Sequence, residues 1–311
     1  DADQQRVIDH VVTPGSGPLL VLAGPGTGKT ATVVEAVTQR ILKGADNDRV
    51  LVLTFSRKAA GELRERMTAR IGGDGIGVNA WTFHAYCYAL VYAGFGADAD
   101  GVPVALRLLS APEQDGVLRD LLAGHADEGF VEWPESLHPA LGTRGFADEI
   151  RRWFSAARAL DPQRSKSLEG RPEWIAAAQM LEEYLENLAV RGALDYDELV
   201  HGALDLLADP AVATDVRSRY DLVVVDEYQD TDPAQARLLQ LIAGDGRDLV
   251  VIGDPDQSIY GFRGADVRAI LEFTDRFRTA DGERSPVVSL RTCRRSGQDL
   301  IDAAREVSRL L

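Results

Sequence analysis

The stretch Ala-Gly-Pro-Gly-Thr-Gly-Lys-Thr, residues 23–30, constrains the fold more than any other part of the chain. It follows the apolar run Leu-Leu-Val-Leu at 19–22 and leads into an apolar-periodic stretch that begins at Ala31. That order reads strand, loop, helix. Gly24, Gly26 and Gly28 let the backbone around Thr27 turn its N–H groups toward one point at a helix N-terminus. Lys29 supplies a positive charge for terminal phosphates, and the Thr30 hydroxyl is a ligand for Mg2+. The loop opens on Ala23 where the general pattern has glycine, which leaves the Gly-Lys-Thr core intact. A glycine-rich turn without a ligand, or a loop that binds without hydrolysis, are the alternatives.

A phosphate loop needs an acidic partner at the end of a second buried strand, and Val223-Val224-Val225-Asp226-Glu227 supplies two carboxylates. Asp226 is placed to hold the metal, directly or through water, and Glu227 to polarise an attacking water while staying off the metal. The alternative is that both residues cap a following helix or turn.

Apolar runs recur at 19–22, 50–53, 222–225, 249–252 and 287–290, and several precede helix-like stretches, the pattern of buried parallel strands with crossover helices. After the second run, Ala59, Leu63, Met67 and Ile71 place one apolar stripe on a helix and turn Arg64 and Arg66 outward. Residues 98–191 change character, with helix-compatible stretches, acidic and Pro/Gly breaks and no strong strand run. The expected fold is therefore an α/β parallel sheet flanked by helices, interrupted by an all-helical insertion.

At 311 residues the chain exceeds the usual single-domain range, and 45% hydrophobic with 27% charged residues is an ordinary balance for a globular protein. No window holds the ~18 uncharged apolar residues of a membrane span, so no membrane partner is expected. Two cysteines, Cys87 and Cys293, lie far apart without metal-ligand spacing, which fits a reducing cytoplasm. The net charge of −15 argues against a uniformly basic nucleic-acid binder but allows a locally positive groove. Residues 49–70 hold six basic side chains (Arg49, Arg57, Lys58, Arg64, Arg66, Arg70) against Glu62 and Glu65, either a solvated helix face or such a groove. The chain starts on Asp1 with neither an initiator Met nor a leader, which reads as a boundary within a longer protein.

The chain resembles superfamily 1A DNA helicases of the UvrD, Rep and PcrA type. The resemblance is carried in order by Gln4-Gln5, residues 23–30, Thr54-Phe55-Ser56-Arg57-Lys58-Ala59-Ala60, Thr82-Phe83-His84, Asp226-Glu227-Tyr228-Gln229-Asp230 and Gly253-Asp254-Pro255-Asp256-Gln257-Ser258-Ile259-Tyr260. It covers nearly the whole chain and is weakest across 98–191. It implies a P-loop RecA-like fold and ATP- and Mg2+-dependent movement along single-stranded DNA, usually 3′ to 5′, with DNA junctions as further partners. On that basis 1–97 and 192–288 form motor domain 1A, 98–191 the helical subdomain 1B, and 289–311 the start of a second motor domain, 2A, whose remainder lies outside this chain. The fragment is then expected to bind nucleotide, to hydrolyse it poorly and not to unwind DNA alone.

The resemblance also assigns residues. Gln4 reads the adenine edge, since its amide donates and accepts at once. Gln257 senses the γ-phosphate and passes its occupancy to the aromatic Tyr260 and Phe262, next to Arg263, with Phe262 standing where many relatives have Trp. Phe55 offers another stacking surface, Thr82 and His84 contact the DNA backbone or link it to the nucleotide, Arg57 and Lys58 add phosphate contacts, and Arg295 matches a phosphate-contacting arginine. Two adenine-facing positions depart from the family: Ala31 replaces a frequent Arg and Arg294 a usual Tyr, which predicts weaker discrimination among nucleoside triphosphates. A degenerate scaffold subunit of a helicase–nuclease complex, and a P-loop ATPase acting on protein or RNA, are the other classes. The retained Lys29, Thr30, Asp226, Glu227 and Gln257 favour an active motor in DNA repair or recombination. With lysine only at 29, 43, 58 and 166 the composition suits a GC-rich genome, and actinobacterial helicase–nuclease subunits are one candidate source.

Overall fold

The computed structural model describes residues 1–72, 77–95, 107–128, 131–159, 170–261 and 264–308. All five apolar runs of the sequence become strands, β1 (Pro18–Ala23), β2 (Val50–Thr54), β6 (Leu222–Val225), β7 (Leu249–Gly253) and β8 (Val287–Leu290), and β3 (Asn79–Thr82) joins them. They form one parallel sheet in the order β3-β2-β6-β7-β1-β8. β3 was not foreseen because Asn-Ala-Trp-Thr carries no apolar run: it is an edge strand whose Trp81 faces solvent.

Central strands are apolar at consecutive positions because helices cover both faces, and Leu51, Val52 and Leu53 of β2 have no exposed area. One face of the sheet packs against helices Ala2–Val12, Lys29–Leu42 and Arg57–Ile71 through Val7, Val33, Val37, Leu63 and Met67. The last of these helices starts where the Ser56 side chain accepts from the Ala59 N–H and ends where Gly72 turns left-handed at φ 73°. The sheet is locked at its lower edge by Arg40 and Asp248, both nearly buried and 3.3 Å apart. Asp248 also accepts from the N–H groups of Gly15 and Gly17.

Two compact units emerge, Asp1–Tyr86 with Leu204–Leu311, and Cys87–Ala203. Their edges fall inside helices Phe83–Phe95 and Tyr196–Leu207. The break expected at 288/289 falls inside β8, which pairs with β1. Among its described residues, the second unit has no strand apart from a parallel pairing of two residues each, β4 (Arg107–Leu108) with β5 (Ala193–Leu194). Helices Ala111–Glu128, Arg144–Ala159 and Pro172–Val190 enclose Leu118, Leu122, Met180, Tyr184 and Leu188. Its polar centre is Asp195, which accepts from Tyr184 Oη at 2.8 Å, Gln114 Nε2 at 3.0 Å and the Glu198 N–H at 2.6 Å.

Candidate active site

In parallel α/β sheets ligands bind beyond the carboxyl ends of the strands, where the loops diverge. Here β7 lies between β1 and β6, so the loops after all three converge at one edge. The loop after β1 leads into the helix Lys29–Leu42, and Gly26 and Gly28 adopt φ of 76° and 90°. Gly26 excludes a side chain by space as well, since a Cβ there would lie 2.6 Å from Arg295 Cβ, whereas a Cβ on Gly28 would meet only the movable end of the Gln4 side chain, 2.8 Å from its Nε2. The Thr27 hydroxyl donates to the Gly24 carbonyl at 2.8 Å and holds the turn closed.

Lys29 stands at the first residue of that helix with its side chain only 10% exposed. Its Nζ has no hydrogen-bond partner among the described residues and lies 3.7 Å from Glu227 Oε2. Asp226 directly follows β6, its N–H donating to the Leu53 carbonyl of β2 and its Oδ1 accepting from the Glu227 N–H at 3.0 Å. Burial, followed by the neighbouring Glu227 charge, pushes the Asp226 carboxyl up to about 7, and the same two causes in that order push Asp230 up to about 6. Glu227 is held left-handed at φ 56°, a conformation costing a non-glycine residue about 1–3 kcal/mol and typical of sites that need one aimed side chain. The capping alternative fails for Glu227, whose side chain caps nothing in the turn Tyr228–Asp230.

A divalent cation with a nucleotide fits this donor set. Among the described residues, a buried ammonium without a hydrogen-bond partner lies 3.7 Å from Glu227, next to Asp226, whose charge burial disfavours, and beside a glycine cradle that a Cβ would fill. Thr30 and Asp226 are the residues that would hold the metal.

At the end of β7, Gln257 Nε2 donates to Asp254 Oδ2 at 2.6 Å. Three residues on, the Tyr260 ring stacks against Phe55 from the end of β2, centroids 4.8 Å apart and planes 28° from parallel. The fold thus brings together two aromatics that are 205 positions apart in a chain whose numbering places them at 55 and 260. Thr82 is buried and caps the helix Phe83–Phe95, its Oγ1 accepting from the Ala85 N–H at 3.1 Å, and His84 is half-buried one residue into that helix. Arg57 and Lys58 are exposed at the start of their helix. Of the basic run, Arg49, Arg66 and Arg70 are engaged by Asp221, Glu62 and Glu35. Phe262 and Arg263 lie outside the described residues.

Residues 291–296 run over the phosphate loop. Arg291 clamps Asp3 with two bonds of 3.0 and 2.9 Å, and the Arg294 N–H donates to the Gly26 carbonyl at 2.9 Å. The Arg294 guanidinium donates to the Thr27 carbonyl and to Gln4 Oε1, each at 3.2 Å, while Gln4 Nε2 donates to the same Thr27 carbonyl at 3.2 Å. Arg294 therefore meets Gln4 edge to edge, and Ala31 is exposed on the adjoining turn. Arg295 is exposed with its Cβ over Gly26. Sequence reasoning missed Gln229, Asp254 and the Asp3–Arg291 clamp. For Gln229 the only signal was its place within Asp226-Glu227-Tyr228-Gln229-Asp230, and for the clamp there was none.

A glycine-rich loop between strand and helix, paired with a buried Asp-Glu at the end of a nearby parallel strand, defines a P-loop nucleotide-binding protein of the RecA-like kind. The chain belongs to the UvrD/REP helicase N-terminal domain family, whose model matches residues 3–278. It is 35% identical to the ATP-dependent DNA helicase UvrD2 of Mycobacterium tuberculosis over 98% of this chain and 43% of that protein. It is 29% identical to the ATP-dependent DNA helicase PcrA of Staphylococcus aureus over 96% of this chain and 39% of that protein. The chain thus spans about two fifths of the length of these curated relatives. Among the described residues no helix is long and apolar enough to cross a membrane.

Proposed function

We propose that this chain is the ATP-binding part of a motor that moves along single-stranded DNA, 3′ to 5′, in DNA repair or recombination. The observation that carries the reading is the convergence of Lys29, Asp226 and Glu227 at one sheet edge, with the Phe55–Tyr260 stack at the ends of neighbouring loops. A phosphate site alone has no need of paired aromatics, whereas nucleobases stack on them at about 1–3 kcal/mol each.

In this reading the N-terminus of the helix Lys29–Leu42 and the Lys29 ammonium bind the β- and γ-phosphates, and Gly24, Gly26, Thr27 and Gly28 surround them. Thr30 and Asp226 would hold a Mg2+ ion, which when bound would supply charge neutralisation for the phosphates. Glu227 orients and deprotonates the attacking water, Gln257 reports the γ-phosphate, and Arg295 stabilises charge from the other side. Gln4 and Arg294 face the base. Phe55 and Tyr260 stack on DNA bases, and Thr82, His84, Arg57 and Lys58 contact the DNA backbone. The names of the UvrD2 and PcrA relatives support ATP-driven DNA unwinding as the activity of the parent protein.

Lys29→Ala tests the site directly. Binding of a fluorescent ATP analogue with Mg2+ should weaken at least about 100-fold, as expected for loss of a charge-assisted phosphate contact in a buried site, with the melting temperature unchanged or raised. Unaltered nucleotide affinity in a folded Lys29→Ala chain would remove the basis of the proposal.

A further inference from the structure

We infer that Gln229 is a positioning residue that ties Glu227 to the turn after β7, and so couples the phosphate end of the site to Tyr260. The inference rests on the nucleotide and DNA roles proposed above. Gln229 is 2% exposed, in the turn Tyr228–Asp230. Its Nε2 donates to Glu227 Oε2 at 2.9 Å, and its Oε1 accepts from the Asp254 N–H at 3.0 Å. A carboxylate can only accept and a backbone N–H can only donate, so these partners fix which end of the amide is which. Its own carbonyl accepts from the Ser258 hydroxyl at 3.2 Å.

The result is a continuous path of polar contacts. Lys29 lies 3.7 Å from the Glu227 oxygen that Gln229 holds, and Gln229 reaches Asp254, whose carboxylate in turn accepts from Gln257. Ser258 follows Gln257, and Tyr260 lies two residues further, stacked on Phe55. The amide crosses the last residue of β7, Gly253, where a Cβ would lie 2.6 Å from Gln229 Oε1 and 2.8 Å from Ile270 Cδ1. Gly253 is thus the space through which the path runs.

A buried amide tolerates no unpaired end, so Glu227 cannot swing away from Gln229 without either stranding Nε2 or dragging the side chain off the Asp254 N–H. The position of the carboxylate that faces the phosphates and the conformation of residues 254–260 are therefore linked. This linkage is separate from direct sensing of phosphate by Gln257.

The test measures coupling between ligands and does not depend on turnover. The affinity of this chain for a fluorescent non-hydrolysable ATP analogue is titrated with and without saturating oligothymidylate, and the reverse, since both ratios must agree at equilibrium. In the unmodified chain the ratio should lie in the range of about 5–150-fold found for coupled sites. In Gln229→Ala it should fall to within about twofold of unity, while each separate affinity changes less than about threefold. Gln229→Glu is the isosteric control: it retains an acceptor for the Asp254 N–H, sets a like charge against Glu227, and should also uncouple.

Hydrogen exchange of the unmodified chain gives a measurement free of substitution, in which the Asp254 amide should change its protection on nucleotide binding. A folded Gln229→Ala or Gln229→Glu chain that keeps the full coupling ratio overturns the inference, as does an unmodified chain that binds both ligands independently or an Asp254 amide indifferent to nucleotide. An unmodified chain that binds neither ligand overturns the proposed function as well, which separates the two failures.

Discussion

Replacing Asp226 by Asn should stabilise the ligand-free chain at alkaline pH while abolishing hydrolysis. The carboxyl is 4% exposed, and burial first, then the Glu227 charge, raise it from an ordinary 3.8 to about 7. A folded value above the unfolded one means that the native chain binds the additional proton. The favourable contribution is thus complete below pH 3.8 and is lost as pH climbs through about 7. At about 1.4 kcal/mol per pH unit, ionisation costs the fold about 4 kcal/mol at pH 8 but only about 1.7 kcal/mol at pH 5.

Asn retains the oxygen that accepts from the Glu227 N–H at 3.0 Å, and brings one amide N–H2 whose burial costs about 1–3 kcal/mol. The net gain is then about 1–3 kcal/mol at pH 8 and close to zero at pH 5. The difference between the two pH values, about 2–3 kcal/mol, does not depend on the amide penalty. Urea denaturation of both chains at each pH, without Mg2+ or nucleotide, measures it. Equal effects of the substitution at pH 8 and pH 5 would refute the claim that this carboxylate is charged against its surroundings, and with it the physical reason for placing a cation there.

Removing a stacking platform should be felt by DNA and not by nucleotide: Phe55→Ala or Tyr260→Ala is expected to weaken oligothymidylate binding by about 1–3 kcal/mol with little change in salt dependence, measured by fluorescence anisotropy. Because Arg294 meets Gln4 edge to edge and Ala31 leaves the other side open, ATP and GTP should bind within about tenfold of each other. Arg294→Tyr should then shift the ratio toward ATP by about tenfold in competition titrations, and strict ATP selectivity of the unmodified chain would contradict this reading. At the opposite edge of the sheet, Asp248→Ala strands the buried Arg40 and should cost about 3–5 kcal/mol in urea denaturation without altering nucleotide affinity once folded.

Much of the site was legible in one dimension because its chemistry is local. The phosphate loop packs its cradle, its lysine and its proposed metal ligand into residues 23–30, and Asp226-Glu227 is announced by the valines before it. The apolar run at β8 marked an edge strand in spite of its polar Ser289, whereas the runs at β1, β2, β6 and β7 marked the central strands for a related reason, since a strand covered on both faces has no polar position to interrupt it. β3, the other edge strand, escaped because Asn79 and Thr82 at its two ends leave no apolar run, and Thr82 was assigned to DNA although its hydroxyl also caps the helix that follows.

What the sequence by itself determined was the inventory: a phosphate loop, a pair of acids, an aromatic near a glutamine, and membership of a helicase family through their order. Only the tertiary structure decided which of these touch. The sheet order sets β7 between the strands that carry the loop and the acids, and that placement alone brings Gln229 over Gly253 to join Glu227 with Asp254. It also made Arg294 a partner of Gln4 and the Thr27 carbonyl. The reason is geometric: hydrogen bonds and close packing act over a few ångströms between residues hundreds of positions apart, and no local pattern in a chain encodes which distant backbone will arrive within that range.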